Sequence, residues 1–216
     1  MPASRSDHRL IWFTALLVPV LVWSWIDPHD RLIWWLESGP ALLGLVLLWT
    51  FCAKFPLSSL LLILIWLHCV VLVVGGHYTY AEVPLGEWVR DLIGGTRNNY
   101  DKLGHFFQGF MPAILSRELL IRTSPLGTSD WQPSSRWLGF TCVSVPLAFS
   151  AFYELLEWWA AVLGGSGADA FLGTQGYVWD TQSDMFLALI GALTALIFLS
   201  KAHDQSLQRV RQSLNS

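Results

Sequence analysis

Charge is what this sequence has least of. Only 13% of its 216 residues are Asp, Glu, Lys or Arg, and the formal net charge is −3. No basic block occurs, which excludes nucleic acid as a partner, because phosphates demand a clustered cationic surface. Cysteine is scarce too. Cys52, Cys69 and Cys142 lie in apolar runs without CxxC spacing, so a disulfide framework and a zinc knuckle are excluded and the three are read as small packing residues. No G-x-S-x-G, Walker A or Gly-rich dinucleotide loop occurs, which leaves serine hydrolase, nucleotidase and dehydrogenase readings without a handle. H-E-x-x-H, E-x-x-H and a three-His set are likewise missing, so no standard ligand motif announces a metal.

What abounds is apolar: 53% of the residues, with 13 Trp, at a mean hydropathy of +0.45. That is too greasy for an ordinary water-soluble domain. A hydrocarbon core about 30 Å thick takes roughly 20 residues per helix, which fits about six spans and one integral membrane domain over residues 1–216. The fold expected is all-α, a polytopic transmembrane helix bundle. Hydropathy places spans near 10–26, 38–53, 56–75, 103–121, 137–163 and 184–201. The second contains Glu37, Gly39, Pro40 and Gly44 and is expected to be shortened or kinked, with a start that can slide back to Leu32. The first follows Arg5 and Arg9 like a secretory signal. It ends on bulky aromatics rather than an A-x-A-like site, so an uncleaved helix is expected.

Six spans put both termini on one side. Arg5, Arg9, Lys54, Arg117, Arg122, Arg136, Lys201, Arg209 and Arg211 fall on that side, against Arg31, Arg90, Arg97 and Lys102 on the other. This asymmetry favours cytoplasmic termini, and the loop 164–183, which has neither Lys nor Arg, fits outside. Trp12, Trp23, Trp25, Trp34 and Trp35, near span ends, are expected as interface anchors. Residues 84–95 (PLGEWVRDLIGG) have Pro at a helix start, Gly at its end and apolar residues at helical spacing; they predict a short interfacial helix, either a plain connector or a lid.

Four segments hold most of the side chains capable of chemistry: HYTYAE (77–82), RNNYDKLGHFFQG (97–109), YELLEWW (153–159) and GTQGYVWDTQSDM (173–185). Under the expected topology all reach the outer face. Asp101, His105 and Gln108 share one helical face, as do Glu154 with Glu157 and Asp180 with Asp184. Ala188, Gly191 and Ala195 continue that last face, so it is expected to pack against a neighbouring helix. A charge at mid-bilayer costs about 2.5–3.5 kcal/mol on insertion scales, so these groups are expected to face a bundle interior or wet cavity.

Each group also has a plainer explanation. Asp101 and Asp180 suit helix N-termini, where the dipole favours an acid, and Lys102 and Arg97 can turn the cluster into an ion-paired plug. Glu154 and Glu157, late in a helix, lack that explanation. A divalent metal is the other reading, with His77, Asp101, His105, Glu154, Glu157, Asp180 and Asp184 as candidate ligands and Zn, Mn, Fe, Mg or Ca as candidate ions. His68 is expected as a hydrogen-bonded packing histidine, His8, His29 and His203 as solvated, and Arg117 as snorkelling to headgroups.

At RNNYDKLGHFFQGF, YELLEWW, AFLGTQGYVWDTQSDM and HYTYAEVP the chain resembles bacterial inner-membrane proteins of the YjdF type over most of residues 60–200. The resemblance implies a small multi-pass protein of the cell inner membrane and lends no reaction. DKLGHF, the acidic pair of YELLEW and the D-x-x-x-D of Asp180 and Asp184 are more weakly similar to VanZ-like membrane proteins, although Ala188 stands where a polar residue is expected there. Three functions remain open. One is a metal-dependent enzyme acting on an envelope or lipid-linked substrate, with Glu154, Glu157, Asp184 and His105 as catalytic groups. The others are a proton- or cation-coupled transporter and a non-catalytic lipid- or partner-binding scaffold. The lipid bilayer is the partner in all three; the oligomeric state is left open.

Overall fold

The computed structural model describes residues 5–164 and 175–215. Of the segments singled out above, residues 165–174 of the outer loop, with Gly173 and Thr174 of the fourth polar segment, lie outside them. The described residues are helical apart from turns and one isolated bridge between Gly127 and Pro133. In chain order the helices are α1 (Arg5–Trp25), α2 (Arg31–Phe51), α3 (Ser59–Tyr78), α4 (Pro84–Ile93), α5 (Tyr100–Thr123), α6 (Trp137–Gly164) and α7 (Asp180–Asn215), with a 3-10 turn at Tyr80–Glu82.

Local chemistry sets the ends. Asp30, extended at φ −143° and ψ 135°, accepts a hydrogen bond from the Ile33 N–H at 2.9 Å and starts α2. Ser58 does the same for α3 through the Leu61 N–H. Pro84 occupies the first turn of α4, and Gly94 at φ +67° closes it with a left-handed cap that Ala could adopt only under strain. Pro19, Pro40, Pro112 and Pro146 all lie inside helices, as bundles in lipid tolerate because neighbours and side chains re-satisfy freed carbonyls.

Five helices, α1, α2, α3, α6 and α7, are long and apolar enough to cross a bilayer. At 24 residues, or about 36 Å, α5 has the length. It carries too many charges to meet the same apolarity, and packing explains why it need not: α5 lies against α3, α6 and α7, so its polar groups meet protein rather than lipid. Around it the outward faces are apolar, with Leu43, Val46, Phe149, Phe152, Ile197 and Phe198 all exposed, as a lipid-facing surface requires. The chain is thus a polytopic helix bundle built on a polar central helix.

Several expectations need correction. The second helix is not shortened and does not begin at 38: its start slides back as allowed, one residue past Leu32 to Arg31, where Asp30 caps it about two turns earlier, and it runs for 21 residues. The last does not stop at 201. At 36 residues, about 54 Å, α7 outruns any bilayer core, and its C-terminal part is held by the loop after α5. There Gln208 donates to the Asp130 carbonyl at 2.9 Å, Arg211 pairs with Asp130, and Leu207 packs with Ile121, Leu138 and Cys142. Trp34 is no interface anchor. It is 4% exposed, and its indole N–H donates to Ser24 Oγ at 3.0 Å while Trp25 and Trp35 pack edge-on against it. Trp12, Trp23, Trp25 and Trp35 are exposed as expected, and the three cysteines are buried and free.

The small-residue face is used as its sequence implied. A Cβ at Gly109 of α5 would lie 1.8 Å from the Ala188 carbonyl oxygen of α7, and one at Gly191 2.1 Å from that of Phe106. Backbones therefore touch at two levels, with Ala188, Ala192 and Ala195 fully buried between them.

Candidate functional site

The polar residues of α5, α6 and α7 gather where α5 and α7 begin and α6 ends. A salt-bridge network occupies the outermost layer. Arg97 donates to Asp101 Oδ2 at 2.7 Å and to Asp180 Oδ1 at 2.9 Å. Lys102 Nζ sits among three oxygens, Asp180 Oδ1 at 2.7 Å, Ser183 Oγ at 2.7 Å and Asp184 Oδ1 at 2.6 Å, with Asp101 Oδ2 at 3.6 Å. Asp101, Asp180 and Asp184 offer oxygens within 4.8 Å of one another, the spacing of a cation site. The ammonium of Lys102 already stands in that position, so this layer is the ion-paired plug. Capping is a minor part of it: Asp101 accepts from the Lys102 N–H, but its other oxygen belongs to Arg97.

One turn deeper the balance changes. His105, Glu154 and Asp184, from three different helices, each present a ligand atom within 4.8 Å of the others. His105 Nε2 lies 3.7 Å from Asp184 Oδ2 and His105 Nδ1 3.8 Å from Glu154 Oε1. Gln108, one turn on, contacts His105 Nδ1 through its carbonyl oxygen at 3.0 Å. In the tautomer that donates this bond from Nδ1, Nε2 keeps its lone pair on the Asp184 side, as a metal-ligating histidine does when an outer partner holds its other nitrogen. Glu154 is 7% exposed and receives a side-chain hydrogen bond from Thr181, while its Oε1, on the His105 side, has no partner.

Glu157, one turn beyond Glu154, is half-buried and has Glu154, Glu37, Asp184 and Asp180 as charged neighbours. It belongs to the same acidic field without joining either ligand group among the described residues. His77 does not come to the site. Its Nδ1 bonds the Ser24 carbonyl at 3.0 Å, and its ring packs between Trp23 and Tyr78, which ties the end of α3 to α1.

Glu37 is the member that the motif search missed. It is buried in α2, within electrostatic reach of Asp101 and Tyr80. The signal was present: an acid inside an apolar run with no cation three or four residues away has no local means of neutralisation. Tyr80 fills the gap between α3 and α5, its ring standing where a Cβ on Gly75 or Gly104 would be. Burial pushes its phenol well above the usual range, with the Glu37 carboxylate adding to the effect, so it stays protonated beside the acids. Asn98 fixes the rim. Its side-chain amide donates to Val83 O and Glu87 Oε1, and its backbone exchanges hydrogen bonds with Gln175, linking α4 to the segment before α7. On α4 itself Leu85, Trp88, Leu92 and Ile93 are exposed along one face, as an interfacial helix requires.

A second polar cluster lies at the opposite end of the bundle. Glu118, fully buried, accepts from the Ser58 N–H at 2.9 Å, Arg122 Nη1 at 2.9 Å and His203 Nε2 at 3.1 Å. Arg117 Nη1 donates to His203 Nδ1 at 2.9 Å and Arg117 Nη2 lies 2.7 Å from Asp204. This corrects two expectations: His203 is 0% and Arg117 5% exposed, so neither is solvated or snorkelling, because the extension of α7 turns His203 inward onto α5 and buries Arg117 beneath it. His68 is a packing residue against Phe107, as expected, but its Nδ1 has no hydrogen-bond partner.

The family model described as "Predicted membrane protein (DUF2238)" matches residues 9–205. The chain is 49% identical over 208 residues to "Inner membrane protein YjdF" of Escherichia coli (strain K12), an alignment covering 95% of this chain and 97% of that protein. No solved structure matches.

Proposed function

The chain belongs to the DUF2238 family of membrane proteins and is an integral inner-membrane protein; on that premise we propose that it binds one divalent metal ion through His105, Glu154 and Asp184 and uses it on an envelope or lipid-linked substrate at the periplasmic face. The observation that supports the reading is the convergence of His105, Glu154 and Asp184 from three helices, with Glu154 Oε1 buried and without a hydrogen-bond partner. A metal held by these three residues would supply a water of lowered pKa, and Glu157, one turn along α6 from Glu154, would be the second carboxylate to take its proton. Cytoplasmic termini, from the Lys/Arg asymmetry, put this end of the bundle toward the periplasm.

The test is elemental analysis of purified protein with a chelator control. Near-stoichiometric metal in the wild type, lost in Glu154→Gln and His105→Ala, supports the reading. Sub-stoichiometric metal together with a melting curve that a chelator leaves unchanged refutes it.

A proton or cation transporter draws on the same excess of acid, which is the observation in its favour. Against it stands the α5–α7 contact, where backbone meets backbone at Gly109 and Gly191 between the two polar clusters. A one-sided pocket fits that seal better than a crossing path. Proteoliposomes that carry an ion flux abolished by Asp184→Asn would reverse this preference. In a non-catalytic scaffold, Glu154→Gln and Asp184→Asn lower stability and remove no turnover.

A further inference from the structure

The same bundle carries an apolar cleft well away from these acids, between the first half of α1 and the first half of α3, with a volume of about 360 Å³. Trp12, Phe13 and Leu16 form one wall and Leu62, Ile63 and Trp66 the other; Arg9 and Ser59 stand at its mouth. We propose that this cleft is a binding site for an anionic phospholipid, with the phosphate at Arg9 and an acyl chain along the groove. The proposal does not rest on the metal reading.

Three features select that occupant. First, the walls are apolar and open sideways onto the lipid-facing surface, where Trp12, Leu16 and Ile63 are exposed, so the cleft continues the bilayer interface. Second, the mouth is cationic. Arg9 Nη1 donates to Ser59 Oγ at 3.0 Å, which pins the guanidinium at the first turn of α3 and leaves most of its five N–H donors for a phosphate. The N-terminal end of a helix adds a favourable field for an anion. Neither Arg9 nor Lys54, in the turn before α3, is ion-paired to an acid among the described residues, in contrast to Arg117 and Arg122 nearby, which pair with Asp204 and Glu118. Third, the indole N–H of Trp66 is buried without a protein acceptor. It lies about 10 Å along α3 from Ser59, on the wall, where an ester oxygen of the lipid supplies the missing acceptor.

The experiment is native mass spectrometry of delipidated protein titrated with phosphatidylglycerol or phosphatidylethanolamine. Wild type is expected to hold one phosphatidylglycerol in preference to phosphatidylethanolamine. Arg9→Gln should weaken phosphatidylglycerol binding about tenfold, since one charge-assisted contact is lost. Ile63→Trp, at a position 57% exposed, should fill the cleft and remove both lipids while the protein stays folded. Arg209→Gln, at an exposed position on the α7 extension, should change nothing. Unchanged binding in both Arg9→Gln and Ile63→Trp overturns the proposal, as does equal retention of the two lipids. A dimer that Ile63→Trp dissociates also overturns it, because a second copy then occupies the cleft.

Discussion

Lys102→Met is the sharpest probe of the outer layer, because it removes one charge and keeps the side chain's length and apolar stem. Nζ makes contacts of 2.6–2.7 Å with Asp180, Ser183 and Asp184, and the side chains of Lys102, Asp180 and Asp184 are 17%, 8% and 5% exposed. At such burial water cannot take over from the ammonium, so the relevant magnitude is that of a broken buried pair, about 3–5 kcal/mol, rather than the 0–1 kcal/mol typical of an exposed one. Arg97 still holds Asp101 and Asp180, which moves the loss toward about 3 kcal/mol and concentrates it on Asp184. For a chain of this size that corresponds to a fall of roughly 6–12 °C in Tm. Thermal melting followed by tryptophan fluorescence in detergent reads it directly. Adding Asp184→Asn removes the orphaned charge and should recover part of the loss, a coupling that a double-mutant cycle isolates. A Lys102→Met protein melting within about 2 °C of wild type, or a double variant no more stable than the single one, refutes the argument that Lys102 neutralises this layer.

Gly109→Ala places a methyl 1.8 Å from the Ala188 carbonyl and should destabilise by about 1–3 kcal/mol as α5 and α7 part; Gly44→Ala, with nothing within 4 Å, should be neutral or stabilising by up to about 1 kcal/mol, and the two melting curves measured side by side check the contrast. Glu118→Gln should cost about 3–5 kcal/mol, because Arg122, His203 and the Ser58 N–H all lose a carboxylate partner in a buried site; Asp130→Asn, which breaks the exposed pair with Arg211, should cost less than about 1 kcal/mol in the same denaturation assay.

The helices were legible in the sequence because their signals are long and local: apolar runs of membrane length, and periodicity that put Asp180, Asp184, Ala188 and Gly191 on one face. The structure uses that face as anticipated, acids at the rim and small residues in the contact. The pairing of Asp101, Asp180 and Asp184 with Lys102 and Arg97 was legible in outline, since opposite charges in lipid-adjacent segments must find one another. What a sequence without tertiary information cannot give is which residues of different helices meet, here across 10 to 85 positions. Glu118 with Ser58 and His203, Trp34 with Ser24 and His105 with Glu154 all join different helices, so periodicity within one helix is silent about them. Trp34 and His203 were misjudged for one reason. A position near the end of an apolar run implies an interface only when no other element covers it, and α7 runs on past the membrane with the face that carries His203 turned to Arg117 and Glu118 of α5.

The two polar clusters differ in a way that bears on what each can do. At the α7-extension end Arg117 and Arg122 meet Asp204 and Glu118, with His203 bridging Arg117 and Glu118, so cations and acids match and no ligand is needed for neutrality. At the other end Asp101, Asp180, Asp184, Glu154 and Glu157 share only Arg97 and Lys102 as permanent cations, with His105 between two of the acids. Carboxylates this close and this buried do not all stay ionised unaided; the surplus is met by protons, by a bound cation or by both. Arg97 and Lys102 answer Asp101, Asp180 and Asp184, whereas Glu154, one turn beneath that layer, has only His105 within ion-pair distance among the described residues. The uncompensated acid is therefore carried by α6, which is why Glu154 rather than any of the aspartates is the residue whose replacement tests the metal reading most directly.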